Sequence, residues 1–280
     1  MTKHPPNNHI GVCSWSLQPS GIQELMGGLE RLEIEVVQLA LVPLIEEEAN
    51  WSGALEAIRG AGIRIASGML SGVGEDYSSL ESIKATGGVV PDDSWPATRL
   101  RAQQVAQLAG DNGIGLVTAH AGFIPHDGAF ERRGVVLERV GELADIFQAH
   151  GVKLGLETGQ ESASTLLEAL DLLAHPNVGV NFDPANMILY GMGDPVDAIT
   201  QLKDRVIQVH AKDATATTVP GTWGSEVPLG TGEVDWDAFL GVVDTIEPAL
   251  DIIIEREAGE SREADIATAR DRLLGKVVQD

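Results

Sequence analysis

The chain is short of cysteine, of cationic side chains and of long apolar runs. Cys13 is the lone cysteine, which excludes an internal disulfide framework and fits a reducing cytoplasm. Lys and Arg number 19 against 42 Asp and Glu, a formal net charge of −23. A surface that negative repels phosphate backbones, so no nucleic-acid partner is expected. No stretch approaches the roughly 18 apolar residues that span a bilayer, so no membrane partner is expected. The opening MTKHPPNNH lacks the apolar stretch of a secretory signal, and a cytoplasmic location is the expectation. The first apolar run also lacks a G-x-G-x-x-G turn at its end, which weakens an open doubly wound sheet as the architecture.

What is present is alternation. Apolar, β-branched runs at 9–16, 34–42, 63–70, 114–120, 152–158, 178–183, 206–213 and 250–257 are separated by segments of helical period. Helices are expected near 20–31, 51–61, 96–110, 129–150, 161–175 and 195–203, from 235 onward, and at 261–274. The stretches 71–94 and 214–233 read as long loops, the first with room for one helical turn. Strict alternation predicts parallel strands with crossover helices. Eight such units over 1–280, with no linker, predict a single-domain α/β (β/α)8 TIM barrel.

In such a barrel the residues that end the strands line the active site. Strand four ends in His120, strand five in Glu157 and strand six in Asp183. Strand seven carries His210, then Lys212 and Asp213, and strand eight carries Glu255 and Glu257. Glu157, Asp183, His210 and Glu255 come from four consecutive strands and converge on one quadrant of the mouth. Singly they are unremarkable: a solvated glutamate, an Asp-Pro turn, a hydrogen-bonded core histidine. Together, three carboxylates in a partly dry pocket would raise one another's pKa, and a divalent cation removes that conflict. Mixed carboxylate and imidazole donors suit Mn²⁺, Mg²⁺, Co²⁺ or Zn²⁺ without choosing among them. Glu257 shares the face of Glu255 under period-two alternation, either as a partner of the site or solvated. His120 is a substrate contact or a structural hydrogen-bonder. Trp15 is an apolar wall for a sugar or a core residue. His4, His9, His126, His150 and His175 carry no signal.

At these residues the chain resembles the xylose isomerase-like superfamily of TIM barrels, the sugar-phosphate isomerase/epimerase group. "LGLETG" (154–159), "NFDPANM" (181–187), "VHAKD" (209–213), "PLGTGEVDW" (228–236) and "IIIERE" (252–257) stand in the family's order. The resemblance covers essentially the whole chain. It implies one divalent ion held by Glu157, Asp183, His210 and Glu255, with Glu157 and Glu255 also serving as the acid/base pair. A cation on a ketose carbonyl stabilises the developing enediolate; one carboxylate removes the α proton and the other returns one on the opposite face. The ketose 3-epimerases of the group carry a histidine where this chain has Asn186, and an arginine after the strand-seven histidine where "ATATT" follows here. Both departures concern substrate contacts and leave the metal ligands intact. Asn186 is left to bond a sugar hydroxyl or cap a helix. Lys212 is left to neutralise an intermediate or a phosphate, or to pair with Asp213. "GTGEVDW" reads as a loop that shapes or covers the mouth.

The expected function is therefore a metal-dependent isomerase or epimerase of a sugar or sugar phosphate. The alternative is a lyase of the inosose dehydratase or 3-keto-glycoside kind, in which the same intermediate expels a neighbouring group. A non-catalytic carbohydrate-binding barrel is opposed by the complete acid/base pair. Abasic-site endonuclease chemistry needs a three-metal cluster rich in histidine, which the sequence does not supply. A homo-oligomer is allowed and neither required nor excluded. The charge generates the first prediction: the protein gives no salt-sensitive gel shift with an abasic duplex and does not incise it.

Overall fold

Each apolar run becomes a strand because branched side chains pack well on a sheet covered on both faces. The computed structural model describes residues 9–125, 130–219 and 221–275. The strands are β1 (His9–Cys13), β2 (Val36–Ala40), β3 (Arg64–Leu70), β4 (Leu116–Ala119), β5 (Lys153–Glu157), β6 (Val178–Phe182), β7 (Val206–Ala211) and β8 (Asp251–Ile254). Each pairs in parallel with the next, and β1 pairs with β8 from His9↔Asp251 to Val12↔Ile254, which closes an eight-stranded barrel. Helices between the strands complete one (β/α)8 domain, as the alternation predicts.

Period-two alternation splits the buried side chains into two groups. Outward residues, among them Val12, Val37, Leu39, Phe182, Val209, Ile252 and Ile254, join the large core beneath the helices. Inside the barrel a separate small apolar cluster holds Cys13, Val36 and Ile253. The remaining interior is polar: Gln38, Ser67, Thr118, Asn181, Gln208 and His210 are all essentially inaccessible to solvent.

Two loops differ from the sequence expectation. The stretch after β3 holds a two-turn helix, Leu80–Thr86, capped by the Ser79 side chain on Ser82 N–H. After β7, Asp213–Thr215 and Ser225–Val227 form a short antiparallel pair. The Asp213 carboxylate organises that excursion. It accepts hydrogen bonds from the backbone N–H groups of Gly230, Gly232 and Val234 and from the Trp236 indole. A Cβ at Gly232 would collide with that carboxylate, so the "GTG" glycine allows the approach. The loop "GTGEVDW" is thus pinned down; the part of the excursion that reaches the mouth is Trp223 and Glu226. Among the described residues no helix is long and apolar enough to cross a membrane.

Asp213→Ala removes four loop partners at once and leaves buried N–H groups unpaired, a loss of about 1–3 kcal/mol for each such group before relaxation. The expected result is a lower midpoint in chemical denaturation and faster proteolysis within 214–235, whereas Asp213→Asn, which keeps an acceptor oxygen, lies between the two.

Candidate metal and acid/base site

Aspartate followed by proline at 183–184 answers two demands at once. Asp183 is the N-cap of a short helix, Pro184–Leu189, with Pro at the first helical position. Its Oδ1 accepts the N–H groups of Ala185 and Asn186 at 2.8 and 3.1 Å. Its Oδ2 is buried and has no hydrogen-bond partner. That oxygen faces His210 Nδ1 at 3.9 Å, and Nδ1 is likewise buried and unpaired. Glu157 Oε1 and Glu255 Oε2 lie 3.6 and 3.4 Å from the same nitrogen. Candidate ligand atoms of Glu157, Asp183, His210 and Glu255 all fall within 4.8 Å of one another. Two orphaned buried polar atoms amid carboxylates make a donor set that fits a divalent cation, for which N and O ligation is suited.

The imidazole is oriented from below. His210 Nε2 lies 2.7 Å from Gln38 Oε1, which requires Nε2–H as donor and turns Nδ1 toward the carboxylates. The Asn181 amide nitrogen touches the same ring nitrogen at 3.0 Å, but the shorter contact to an oxygen decides the tautomer. Gln38 is fixed in turn, since its Nε2 donates to Thr118 Oγ1 at 2.7 Å. Gln208 Nε2 donates to Gln38 Oε1 and to Asn181 Oδ1, and Ser67 donates to Gln208.

The two glutamates are held differently. Glu255 accepts the Trp15 indole N–H at 2.8 Å on Oε1 and the Lys212 ammonium at 3.0 Å on Oε2. Burial pushes its carboxyl up, but Lys212 and His210 outweigh this and hold it well below the usual carboxylate range. Glu157 accepts amide N–H groups from Asn186 at 3.0 Å and Asn181 at 3.3 Å. Burial raises it too, and His120 and His210 bring it below its ordinary value. Asp183 goes the other way: burial, with Glu255 and Glu157 close by, raises it well above the usual range despite Lys212.

The remaining sequence candidates divide. Lys212 does not pair with Asp213, whose carboxylate is taken up by the loop after β7. Its ammonium turns inward to Glu255, Glu257 and Asp183, at 3.0, 2.7 and 3.8 Å. Asn186 does not cap the helix; it donates to Glu157 and to Thr158 O. Gly159 makes this approach possible, since a Cβ there would strike the Asn186 side chain. His120 stands at the rim, 3.9 Å from Glu157. Trp15 lies in a single 3₁₀ turn, Ser14–Leu17, after β1. Of the histidines without signal, His175 meets Asp145 at the surface, and His4 and His126 lie outside the described residues. All eight site candidates except Asp183 and His210, which lie beneath it, line a cavity of about 680 Å³. Tyr77, Arg101, Tyr190 and Trp223 also line it and were not anticipated.

Comparison with known proteins follows this geometry. The family model described as xylose isomerase-like TIM barrel matches residues 28–275. A xylose isomerase domain protein from Planctomyces limnophilus superposes with a TM-score of 0.82 at 28% identity, covering 96% of this chain and 95% of that one. A xylose isomerase-like TIM barrel protein from Mycobacterium smegmatis, solved in complex with magnesium, gives 0.71 at 14% identity over 98% of both chains. D-psicose 3-epimerase from Clostridium cellulolyticum H10, solved with D-tagatose, gives 0.69 at 15% identity over 96% of this chain and 100% of that one. No curated protein matches the chain in a sequence comparison.

The raised Asp183 carboxyl makes a stability prediction. The folded, metal-free protein holds a proton there that the unfolded chain releases in the ordinary carboxylate range. Stability is therefore lost as pH rises from that range through the raised folded value. Asp183→Asn keeps the capping oxygen and removes the charge. In EDTA at neutral pH it should melt about 2–4 °C higher than wild type, a shift of about 1 kcal/mol, with the gain vanishing near pH 4. With Mg²⁺ or Mn²⁺ added, only wild type should gain stability.

Proposed function

The chain belongs to the xylose isomerase-like TIM barrel family, and from that premise we propose that it is a divalent-metal-dependent sugar isomerase or epimerase that moves a proton at the carbon beside a carbonyl. The observation that carries this reading is the pair of buried glutamates, Glu157 and Glu255, grouped with the unpaired Asp183 Oδ2 and His210 Nδ1 at the base of the cavity. Those four residues would hold the ion, as Mn²⁺, Mg²⁺, Co²⁺ or Zn²⁺. When bound, it supplies Lewis-acid polarisation of the carbonyl and offsets the charge that develops on the sugar oxygens.

The chain's own residues do the rest. Either Glu157 or Glu255 takes the α proton as general base, and the other, approaching from the opposite face, returns one. Return to the same carbon inverts it, which is epimerisation; return to the former carbonyl carbon is isomerisation. The Trp15 indole and the Lys212 ammonium fix both oxygens of Glu255, and the amides of Asn181 and Asn186 fix those of Glu157. Preset bases need no reorganisation at the moment of transfer. His120 at the rim and Trp15 beside Glu255 are assigned to the sugar, together with Lys212 and, since its N–H groups are spent on Glu157 and Thr158, the amide oxygen of Asn186. Lys212 stays paired with Glu255 and Glu257, and its charge beside them also assists charge development on the sugar.

A lyase of the inosose dehydratase or 3-keto-glycoside kind is the second reading. It is favoured by the engagement of the Asn186 amide on Glu157, which leaves that position without the free donor that holds a ketose hydroxyl. The same proton removal beside a leaving group would end in elimination.

In D₂O, with Mg²⁺ or Mn²⁺ present, ketoses, ketose phosphates, inososes and 3-keto-glycosides are screened by NMR. Deuterium retained in an intact sugar marks epimerisation or isomerisation; a lost hydroxyl or glycoside marks the lyase. On the substrate found, Glu157→Gln and Glu255→Gln should each lower turnover by about 10²–10⁴ while metal occupancy falls less. Near wild-type turnover in both variants, with metal bound, would confine these residues to ligation.

A further inference from the structure

We infer that the substrate is an uncharged glycoside, whose reacting ring sits over the buried carboxylates and whose second ring or aglycone lies against Tyr190 and Trp223. The inference rests on the sugar isomerase or epimerase reading and narrows its substrate class.

Size is the first reason. The cavity of about 680 Å³ runs from the buried Glu157 and Glu255 to the exposed Glu46, Glu47 and Tyr77. One monosaccharide ring at the carboxylates would leave most of that space to water, whereas sites of this size commonly bury most of a larger ligand.

Charge is the second. Seven glutamates line the cavity against two cations, Arg101 and Lys212. Neither cation is free. Arg101 donates to the carbonyls of Ser71 and Gly72 at 3.0 and 3.1 Å and pairs with Glu46 at 2.7 Å. Lys212 lies between Glu255 and Glu257. A phosphate group entering here would meet carboxylates and find no unengaged guanidinium or ammonium among the described lining residues, and like-charge juxtaposition is a strong bar to binding. A neutral polyol meets no such barrier, since carboxylates accept hydroxyl hydrogen bonds well.

The third reason is where the aromatics lie. The chain has only two tyrosines and five tryptophans, and both tyrosines line this cavity together with Trp15 and Trp223. Trp15 stands beside Glu255, at the inner ring. Tyr190 and Trp223 form a T-shaped pair, 4.8 Å between centroids, that Phe123 backs at 6.0 Å. Trp223 is placed by a braced loop, because Glu226, three residues on, accepts from Arg256 and from the backbone of Glu257 and Ala258. A rigid aromatic pair outside the reacting centre offers apolar area to the C–H face of a sugar or to an aglycone, and asks for no charge.

The test uses the full chain loaded with Mg²⁺ or Mn²⁺. Solvent exchange in D₂O is measured for 3-keto-glucose, phenyl 3-keto-glucoside, a 3-keto-disaccharide and 3-keto-glucose 6-phosphate, with free ketoses and their phosphates alongside. The glycosides should show kcat/KM at least tenfold above both the free sugars and the phosphates. Trp223→Ala should cut the ratio of glycoside to free sugar about tenfold, and Trp223→Phe should restore most of it, which separates stacking from a folding defect. A free sugar or a phosphate matching the best glycoside overturns the inference and leaves the isomerase or epimerase reading standing. Absence of exchange on every compound sinks that reading; calorimetric titration with phenyl glucoside and glucose 6-phosphate then decides the inference alone. Saturable binding of the glucoside only, lost in Trp223→Ala, supports it, and any other pattern overturns it.

Discussion

A hydrogen bond in the barrel interior, from His210 Nε2 to Gln38 Oε1, sets what the mouth can hold. Gln38 cannot flip its amide without losing both this bond and the one to Thr118. The imidazole therefore presents Nδ1 to the carboxylates. Burial disfavours a charged imidazole, yet Cys13, Glu157 and Glu255 around it outweigh burial and raise its affinity for a proton well above the ordinary value. In the metal-free chain a proton and a cation thus compete for the same nitrogen. Binding a cation competes with protonation of His210 and of Asp183, whose carboxyl is also raised, so metal affinity and pH are tied together by the geometry.

The strand ends were legible because the fold makes them so. Parallel strands buried on both faces are apolar until they reach the mouth, and an acid or histidine at that point stands out against the run before it. Glu157, Asp183, His210 and Glu255 announce themselves this way, and the structure brings all four together. Their supports were less visible. Gln38, Asn181 and Gln208 interrupt apolar runs, and Gln208 shares the face of His210 at a spacing of two, which is a signal. What they bond to lies across the barrel, up to 172 positions away in the chain, and only closure of the sheet reveals the partners. The cavity wall was least legible, because Tyr77, Tyr190 and Trp223 sit outside the regular elements, where paths depend on tertiary contacts, and Arg101 reaches the cavity from the side of a helix, Trp95–Asp111, whose sequence marks no facing site.

Lys212 and Asp213 show how one dipeptide serves opposite ends. Read as neighbours in sequence, they suggest a local ion pair. The structure sends them to different partners, so the lysine enters the site and the aspartate gathers the loop that carries Trp223. Asp183 is divided in the same spirit within one side chain. Its capping oxygen fixes the helix that presents Asn186, and its other oxygen is left without a partner. A turn residue and a site residue are then compatible descriptions of one aspartate.

The acidic composition sharpens the meaning of Lys212, the one buried ammonium among the described residues. Most of the 42 acidic residues are solvated and screened. Inside, screening by salt is weak, and Lys212 faces Asp183, Glu255 and Glu257, with His210 beside the first two. Together they hold Glu255 below the usual carboxylate range, but at Asp183 they do not outweigh burial, and its carboxyl is raised. The site is thus short of positive charge by design of its residues, and it stays unfavourable for folding until a cation joins it. Local rules are broken in this way where function demands it. A chain selected for stability alone would have placed an amide at 183, which caps the helix equally well and carries no charge. The carboxylate retained there is hard to account for by packing, and easy to account for by a divalent ion.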